Sequence, residues 1–286
     1  MIATVQGAGV ALEEGMAERI QAALDEDIGD GDVTTLSIVP ADAQGKGRLV
    51  AKAAGVVAGL AVAQAAFRLV DPAVRFDALV EEGAQVKPGD VLARVSGPTR
   101  ALLSGERTAL NFVQRMSGIA TLTRRFVDAV QGTGTVILDT RKTTPGLRAF
   151  DKWAVRLGGG QNHRFGLFDM VLIKENHILA AGGISQAVAR VRAADKRGRA
   201  IEVEVTNLDE LREALTLGLD RIMLDNMGLD EMREAVRITQ GATPLEASGG
   251  ASLQTAAAIA ATGVDFISVG KPTHSFESLD ISFLLE

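Results

Sequence analysis

Residues 141–174 carry Arg141, Lys142, Arg148, Lys152, Arg156, Arg164 and Lys174 against only two anions, Asp151 and Asp169, with His163 inside the stretch and His177 just beyond it. Seven cations against two anions give +5, in a chain whose formal net charge is −6. Cations crowded this closely repel one another unless an anion joins them. The stretch therefore reads as a pocket for a small, highly charged anion. Arg141 and Arg164 present planar forks that match a carboxylate or phosphate, whereas Lys142 and Lys174 act as point charges. His163, beside Arg164, offers a hydrogen bond to the same anion. His163, His177 and His274 lack the short spacing of a zinc site, and His274 reads equally well as a structural residue.

A second set of residues complements the cations. Glu202 and Glu204 alternate along Ile201-Glu202-Val203-Glu204-Val205, so both carboxylates face one side of a strand. On a buried strand that is costly unless the side is a cavity or a metal site. Glu204 and Asp225, at successive strand ends, suit magnesium or sugar hydroxyls. Ser248-Gly249-Gly250 and Gly270 can cradle a phosphate with backbone N–H groups.

These residues need a frame that collects strand ends. Short apolar runs occur at 136–138, 170–173, 201–205, 221–224, 244–247 and 266–269, with amphipathic helices expected at 208–217, 230–239 and 253–261, capped at Asn207, Gly228 and Ser252. Strand–helix alternation at a near-constant interval indicates parallel βα units. Six such strands predict a (β/α) barrel, incomplete if six is all there are, with an open doubly wound sheet as the alternative. Every strand runs into a polar or glycine-rich end, and that is the face on which barrels place their chemistry.

The first hundred residues read as a smaller mixed α/β unit. Helices are expected at 17–25 and 60–69, and short strands at 48–53, 74–80 and 91–95, separated by Glu82-Gly83 and Pro88-Gly89. The hairpin pattern is similar to a lipoyl- or biotinyl-carrier domain, but Lys87 runs straight into Pro88-Gly89 and does not sit where a carrier lysine would. A long helix is expected over 100–130, broken near Ser117-Gly118.

Composition narrows the function. An acidic balance, 4% aromatics and no Tyr disfavour nucleic acid, which wants a broad basic face and stacking platforms. Without Cys there is no disulfide, thiolate metal site or Cys nucleophile. Residues 1–15 lack the basic start and apolar run of a signal peptide, and charges interrupt every apolar stretch before it reaches membrane-spanning length. The expectation is a soluble, cytoplasmic protein.

Leu138-Asp139-Thr140-Arg141-Lys142-Thr143-Thr144-Pro145-Gly146-Leu147-Arg148, Lys152-Trp153-Ala154-Val155-Arg156, Gly158-Gly159-Gly160-Gln161-Asn162-His163-Arg164 and Val171-Leu172-Ile173-Lys174-Glu175-Asn176-His177 closely resemble the quinolinate phosphoribosyltransferases, also called nicotinate-nucleotide pyrophosphorylases (carboxylating). Glu106-Arg107-Thr108-Ala109-Leu110-Asn111-Phe112 upstream, and Glu202-Val203-Glu204, Leu224-Asp225-Asn226, Glu246-Ala247-Ser248-Gly249-Gly250 and Thr273-His274-Ser275 downstream, extend the likeness over nearly the whole chain.

The resemblance implies an α/β protein with an N-terminal α/β sandwich over 1–116, on which the tail 276–286 packs, and a C-terminal incomplete (β/α) barrel over 117–275. It implies a homodimer, or a higher assembly, in which Arg107 reaches the partner's active site. The implied reaction joins quinolinate to phosphoribosyl pyrophosphate with Mg2+, giving nicotinate mononucleotide, pyrophosphate and CO2 in de novo NAD biosynthesis. By the same resemblance Arg107, Arg141, His163, Arg164 and Lys174 hold quinolinate, with Thr140 beside them, and Lys142 and Lys174 take pyrophosphate. Glu204 and Asp225 hold ribose hydroxyls and the magnesium-bound diphosphate, and Ser248, Gly249, Gly250, Gly270 and His274 surround the 5′-phosphate. Lys142, Glu204 and Asp225 are the implied catalytic residues. Lys271-Pro272 departs from the family, which more often has small or apolar residues there; Lys271 adds a phosphate contact if it points inward. Three other readings compete: a related phosphoribosyltransferase or anion-binding relative acting on another anion, a Schiff-base aldolase using Lys174, and a non-catalytic anion-binding module.

Overall fold

The computed structural model describes Leu12 and residues 15–286; most of the 1–15 stretch considered for a signal peptide lies outside the described residues. The chain divides into two compact units. One comprises the described residues up to Leu122, Thr144–Gly159 and Phe276–Glu286; the other comprises Thr123–Thr143 and Gly160–Ser275.

The first unit begins with α1 (Met16–Ile28) and α2 (Val33–Ile38), continues through β1 (Gln44–Ala51), β2 (Gly55–Val56), α3 (Leu60–Val70), β3 (Arg75–Ala78), β4 (Gln85–Val86) and β5 (Val91–Pro98), and enters the long helix α4 (Thr99–Ala129). Met16, Ile20 and Leu24, four residues apart, form the buried stripe of α1. α1 packs on α3, whose Phe67 ring lies 6.3 Å from Phe76 and 5.8 Å from Phe283. Asp32 caps α2 by accepting the Thr35 N–H at 2.9 Å. The first turn of α3 is held from a distance: Glu82 accepts the Gly59 N–H at 2.8 Å and the Ala61 N–H at 3.0 Å. An antiparallel sheet in the order β12-β1-β5-β3 completes the sandwich. Its edge is the chain's own C-terminus, β12 (Ile281–Leu285), paired with β1 through Leu49↔Phe283.

The expected break at Ser117-Gly118 is absent: α4 runs through both residues. Ser117 Oγ instead accepts the Ala58 N–H at 2.9 Å. A Cβ on Gly118 would stand 2.2 Å from the Glu277 carbonyl oxygen. The glycine serves close approach of the C-terminal segment and does not interrupt the helix.

The second unit is built on β6 (Val136–Leu138) and, after α5 (Arg148–Leu157) has returned to the first unit, β7 (Val171–Ile173), α6 (Glu175–Ala181), α7 (Ile184–Ala194), β8 (Ile201–Val205), α8 (Leu208–Leu215), β9 (Arg221–Asp225), α9 (Leu229–Thr239), β10 (Leu245–Ser248), α10 (Ala256–Ala260), β11 (Phe266–Ser268) and α11 (Lys271–His274). The six strands form one sheet in the order β6-β11-β10-β9-β8-β7, every neighbouring pair parallel. Among the described residues no ladder joins β6 to β7, so the barrel is incomplete. Asn207 caps α8 as expected, its Oδ1 accepting from Asp209 and Glu210 N–H. The expected helix at 253–261 is only the short α10; Ser252 and Thr255 occupy a turn before it.

Strand register explains the two faces of this sheet. Val203, Val205, Ile222, Leu224, Ala247 and Ile267 are all buried on one face, where α8 packs on β8 and α10 on β11. Leu172, Glu202, Glu204, Arg221, Met223, Asp225, Glu246, Ser248 and Ser268 share the other face by the alternation of the pleat. The sheet is apolar outward and polar inward.

Gly118→Ala separates helix propensity from packing. Propensity alone favours alanine by about 1 kcal/mol, whereas the clash with Glu277 should destabilise by about 1–3 kcal/mol. Urea unfolding of the variant is expected to show the loss; a gain in midpoint would show that α4 does not need the close approach.

Candidate active site at the open end of the parallel sheet

The C-terminal ends of β6, β7, β9, β10 and β11 border a cavity of about 630 Å3, within the range of small-molecule sites. Thr140, Arg141 and Lys142 enter it after β6, His163 and Arg164 from the segment before β7, and Lys174 after β7. Asp225 and Asn226 follow β9, and Ser248, Gly249 and Gly250 follow β10. A second cavity of about 330 Å3 shares Thr140, Lys142, Ser248, Gly249 and Gly250 and adds Gly270, Lys271 and His274. The strand ends thus build one elongated site with a cationic end and a glycine-rich end.

Local hydrogen bonds fix the cations. Asp139, buried at the end of β6, accepts the His163 N–H at 2.8 Å and an Asn162 Nδ2–H at 2.6 Å, which ties the His163–Arg164 segment to β6. Lys142 donates its N–H to Thr140 Oγ1 at 3.0 Å, and its carbonyl accepts from Thr273 Oγ1 at 2.8 Å. Arg164 Nη1 donates to the Met170 carbonyl at 3.3 Å. Burial, and after it the neighbouring Arg141 charge, pushes the Arg164 guanidinium below its usual range. Two arginines held together with part of their hydration removed make a site whose stability improves when an anion enters.

Lys174 forms an ion pair with Glu204. A lysine held in an ion pair suits a point-charge role better than the amine nucleophile of a Schiff-base enzyme. Glu204 pairs in register with Met223, so Asp225 lies two residues further along the adjacent strand on the same face. Asp225 Oδ2 accepts from Asn226 Nδ2 at 2.7 Å.

The glycine-rich end is a backbone cradle. Gly249 and Gly250 both have positive φ, 91° and 63°, a left-handed turn that lets backbone without side chains line the cavity. A Cβ on Gly249 would stand 2.1 Å from Asn226 Oδ1, so only glycine fits. Asn226 itself has φ 54°, a conformation that Asn tolerates better than most residues. Lys271 lines this cavity with an exposed side chain.

Sequence reasoning placed Thr140, Arg141, Lys142, His163, Arg164, Lys174, Asp225, Ser248, Gly249, Gly250, Gly270, Lys271 and His274, and all of them line the two cavities; Glu204 joins through Lys174. Arg107 lies on the exposed side of α4 in the first unit. The basic stretch is not one patch. Arg148, Lys152 and Arg156 lie on α5, which belongs to the first unit. Lys152 is buried there, and its neighbour Asp151 pairs with Arg115 at 2.9 Å. The helical pattern of 148–157, Phe150-Trp153-Ala154 on one face, carried the signal that separates them.

Sequence reasoning turned Glu202 toward a cavity but did not join it to Glu246, Arg221 and His163, which form the floor. Glu246 lines the larger cavity, with Leu172, Met223 and Ser268. Glu202 and Glu246 are fully buried. Arg221 Nη1 donates to Glu246 Oε2 at 2.8 Å, and its guanidinium lies 4.1 Å over the Phe266 ring centroid. His163 Nε2 stands 3.0 Å from Glu202 Oε2 and 3.5 Å from Glu246 Oε2. Burial pushes both carboxyls up to about 7, the charge of Glu202 adding to the rise at Glu246 and Arg221 opposing it at both. The period-2 spacing from Ser248 back to Glu246 is the signal that could have found this floor.

A family model described as quinolinate phosphoribosyl transferase, N-terminal domain, matches residues 32–117, and its C-terminal-domain counterpart matches residues 119–284. The chain is 48% identical over 266 residues to a probable nicotinate-nucleotide pyrophosphorylase [carboxylating] of Synechocystis, covering 92% of this chain and 90% of that one. It is 46% identical to a protein of the same name from Bacillus subtilis, covering 90% and 89%. Among solved structures, NadC from Streptococcus pyogenes superposes with a TM-score of 0.94 at 40% identity, covering 98% and 99%. Human nicotinic acid phosphoribosyltransferase shares the fold alone, with a TM-score of 0.60 at 15% identity.

The raised carboxyl of Glu246 gives a pH-dependent prediction. A carboxyl raised in the folded state contributes stability that is complete below its ordinary value near 4.5 and is lost as pH rises through about 7. Glu246→Gln cannot ionise, so its stability relative to wild type should increase between pH 5 and pH 8, by on the order of 3 kcal/mol. Parallel unfolding curves at the two pH values check this, and a difference independent of pH would contradict the raised pKa.

Proposed function

Because the chain belongs to the quinolinate phosphoribosyltransferase family, we propose that the two joined cavities seat quinolinate at the cationic end and phosphoribosyl pyrophosphate along the glycine-rich end. The enzyme transfers the phosphoribosyl group to quinolinate with decarboxylation, giving nicotinate mononucleotide, pyrophosphate and CO2, a step of de novo NAD biosynthesis. One observation carries the seating: the Arg141–Arg164–Lys174 wall adjoins a Gly249-Gly250 cradle in one continuous site.

In this reading Arg141 and Arg164 fork onto the two ring carboxylates, with Lys174 beside them and His163 supporting Arg164 from below, and Arg107 of the partner subunit completes the pocket. The 5′-phosphate takes the N–H groups of Ser248, Gly249, Gly250 and Gly270, with Lys271 and His274 at its rim. Lys142, between the two cavities, faces the leaving pyrophosphate. The pyridine nitrogen bonds to the ribose anomeric carbon as the bond to pyrophosphate breaks, and positive charge develops on the sugar. Glu204 and Asp225 face that charge and the ribose hydroxyls. Once nitrogen is quaternised, the ring accepts the electron pair released when the adjacent carboxylate leaves as CO2, and that carbon then takes a proton. The protein contributes positioning and electrostatics, and no further base is needed.

Glu204 and Asp225 also fit magnesium: they are hard carboxylate donors on adjacent strands, two residues apart in register, and each has lone pairs beyond its contact with Lys174 or Asn226. Such a pair suits an ion that keeps most of its water and bridges to substrate phosphates. Bound there, magnesium would stabilise the charge on the departing diphosphate. Among the described residues no helix is long and apolar enough to cross a membrane, and a cytoplasmic homodimer is the setting we assign.

Incubation of the protein with quinolinate, phosphoribosyl pyrophosphate and Mg2+ should produce nicotinate mononucleotide and CO2 by mass spectrometry, and excess EDTA should abolish turnover. Consumption of nicotinate with quinolinate ignored would overturn the acceptor assignment. Arg107→Ala and Arg164→Ala proteins, each inactive alone, should regain roughly a quarter of wild-type activity after random subunit mixing, since half of the dimers then hold one intact site. Verified mixed dimers without activity would contradict the shared site.

A further inference from the structure

The buried floor beneath the cationic end contains more than burial requires. Glu202, Glu246, Arg221 and His163 converge under Arg164, and Glu246 contributes to the cavity wall. His163 and the two carboxylates place ligand atoms within 4.8 Å of one another, which raises the question of a metal. The imidazole answers it. His163 Nδ1 accepts the Arg164 backbone N–H at 2.7 Å, so the ring proton resides on Nε2, the nitrogen that faces the carboxylates. A metal-binding imidazole has the opposite arrangement, its distal nitrogen donating and the other nitrogen bare. Arg221 already supplies the cation that Glu246 needs.

The contacts form a chain. Arg221 holds Glu246 by a hydrogen bond of 2.8 Å, Glu202 and Glu246 stand at ion-pair distances of 3.0 and 3.5 Å from His163 Nε2, and His163 Nδ1 holds the Arg164 backbone. From these contacts we propose that Glu246, anchored by Arg221, is a positioning residue for the acceptor: through His163 it sets the place of Arg164. The proposal rests on the acceptor site described above. It also makes a prediction of unusual sign. By Coulomb's law alone, removing a buried anion beneath a dianion site would tighten acceptor binding. If Glu246 instead positions the arginine, removing its charge loosens binding, because a misplaced fork loses both of its parallel hydrogen bonds.

Steady-state kinetics of Glu246→Gln, Arg221→Gln and the double variant test this. For Glu246→Gln the KM for quinolinate should rise roughly ten-fold, while kcat and the KM for phosphoribosyl pyrophosphate stay within about two-fold. Arg221→Gln should show the same split, and the double variant should be no worse than either single one, because both act through one chain. Arg221→Lys, which keeps the charge, should recover part of the loss. A quinolinate KM that is unchanged or lower in folded Glu246→Gln overturns the proposal, as does a loss shared equally by both substrates. Nitrogen-15 NMR of the wild-type imidazoles decides independently of variant folding: His163 should carry its proton on Nε2 at neutral pH, and protonation at Nδ1 overturns the proposal. Wild-type protein that ignores quinolinate would instead refute the acceptor assignment, leaving the imidazole measurement to judge the positioning chain.

Discussion

A parallel sheet covered on one face by helices ordinarily fills its other face with branched apolar side chains. Here that inward face carries Glu202, Glu204, Arg221, Asp225, Glu246 and Ser248, and two of the carboxylates have no exposure to solvent. Burying a charge without a partner costs several kcal/mol. The surrounding structure is arranged around that cost: Arg221 and His163 approach from inside, Lys174 closes on Glu204, and Asp139 pins the segment that delivers His163 and Arg164. The polar interior is what allows the sheet to hold a site along its axis as well as at its mouth.

The same constraint accounts for the order of charges from floor to rim. Carboxylates occupy the floor, arginines and lysines the wall above them, and backbone N–H groups the glycine-rich end. Each layer stabilises its neighbour, and only the wall and the cradle face outward to an anion. The anionic floor also keeps the wall from being a mere accumulation of repelling cations, since Glu202 opposes the shift that Arg141 and burial impose on Arg164. In the proposed seating, a dicarboxylate and a diphosphate ester would meet donors already oriented, which is how positioning and electrostatics raise a rate.

The βα units and their polar ends were legible because strand periodicity and chain spacing are local. The alternation of Glu202 with Glu204 announced an interior that was not apolar, and Gly249-Gly250 announced a cradle. Elsewhere local reading misled. Gly118 looks like a helix break, yet its meaning lies in the Glu277 carbonyl 159 positions away in the chain. Arg148, Lys152 and Arg156 share the basic stretch yet belong to no strand end, which leaves them without a role in the sequence, and α5 carries them into the other unit.

The family, the fold class and the cavity residues at the strand ends could be read from the chain, because residue type, pleat period and motif order are written along it. The continuity of α4, the placement of Arg148, Lys152 and Arg156 on the first unit and the Arg221–Glu246–His163 floor came only with the folded chain. Those depend on which residues from different strands and segments come within hydrogen-bond distance, and on how completely water is excluded from them. Neither quantity is a property of any local stretch of sequence.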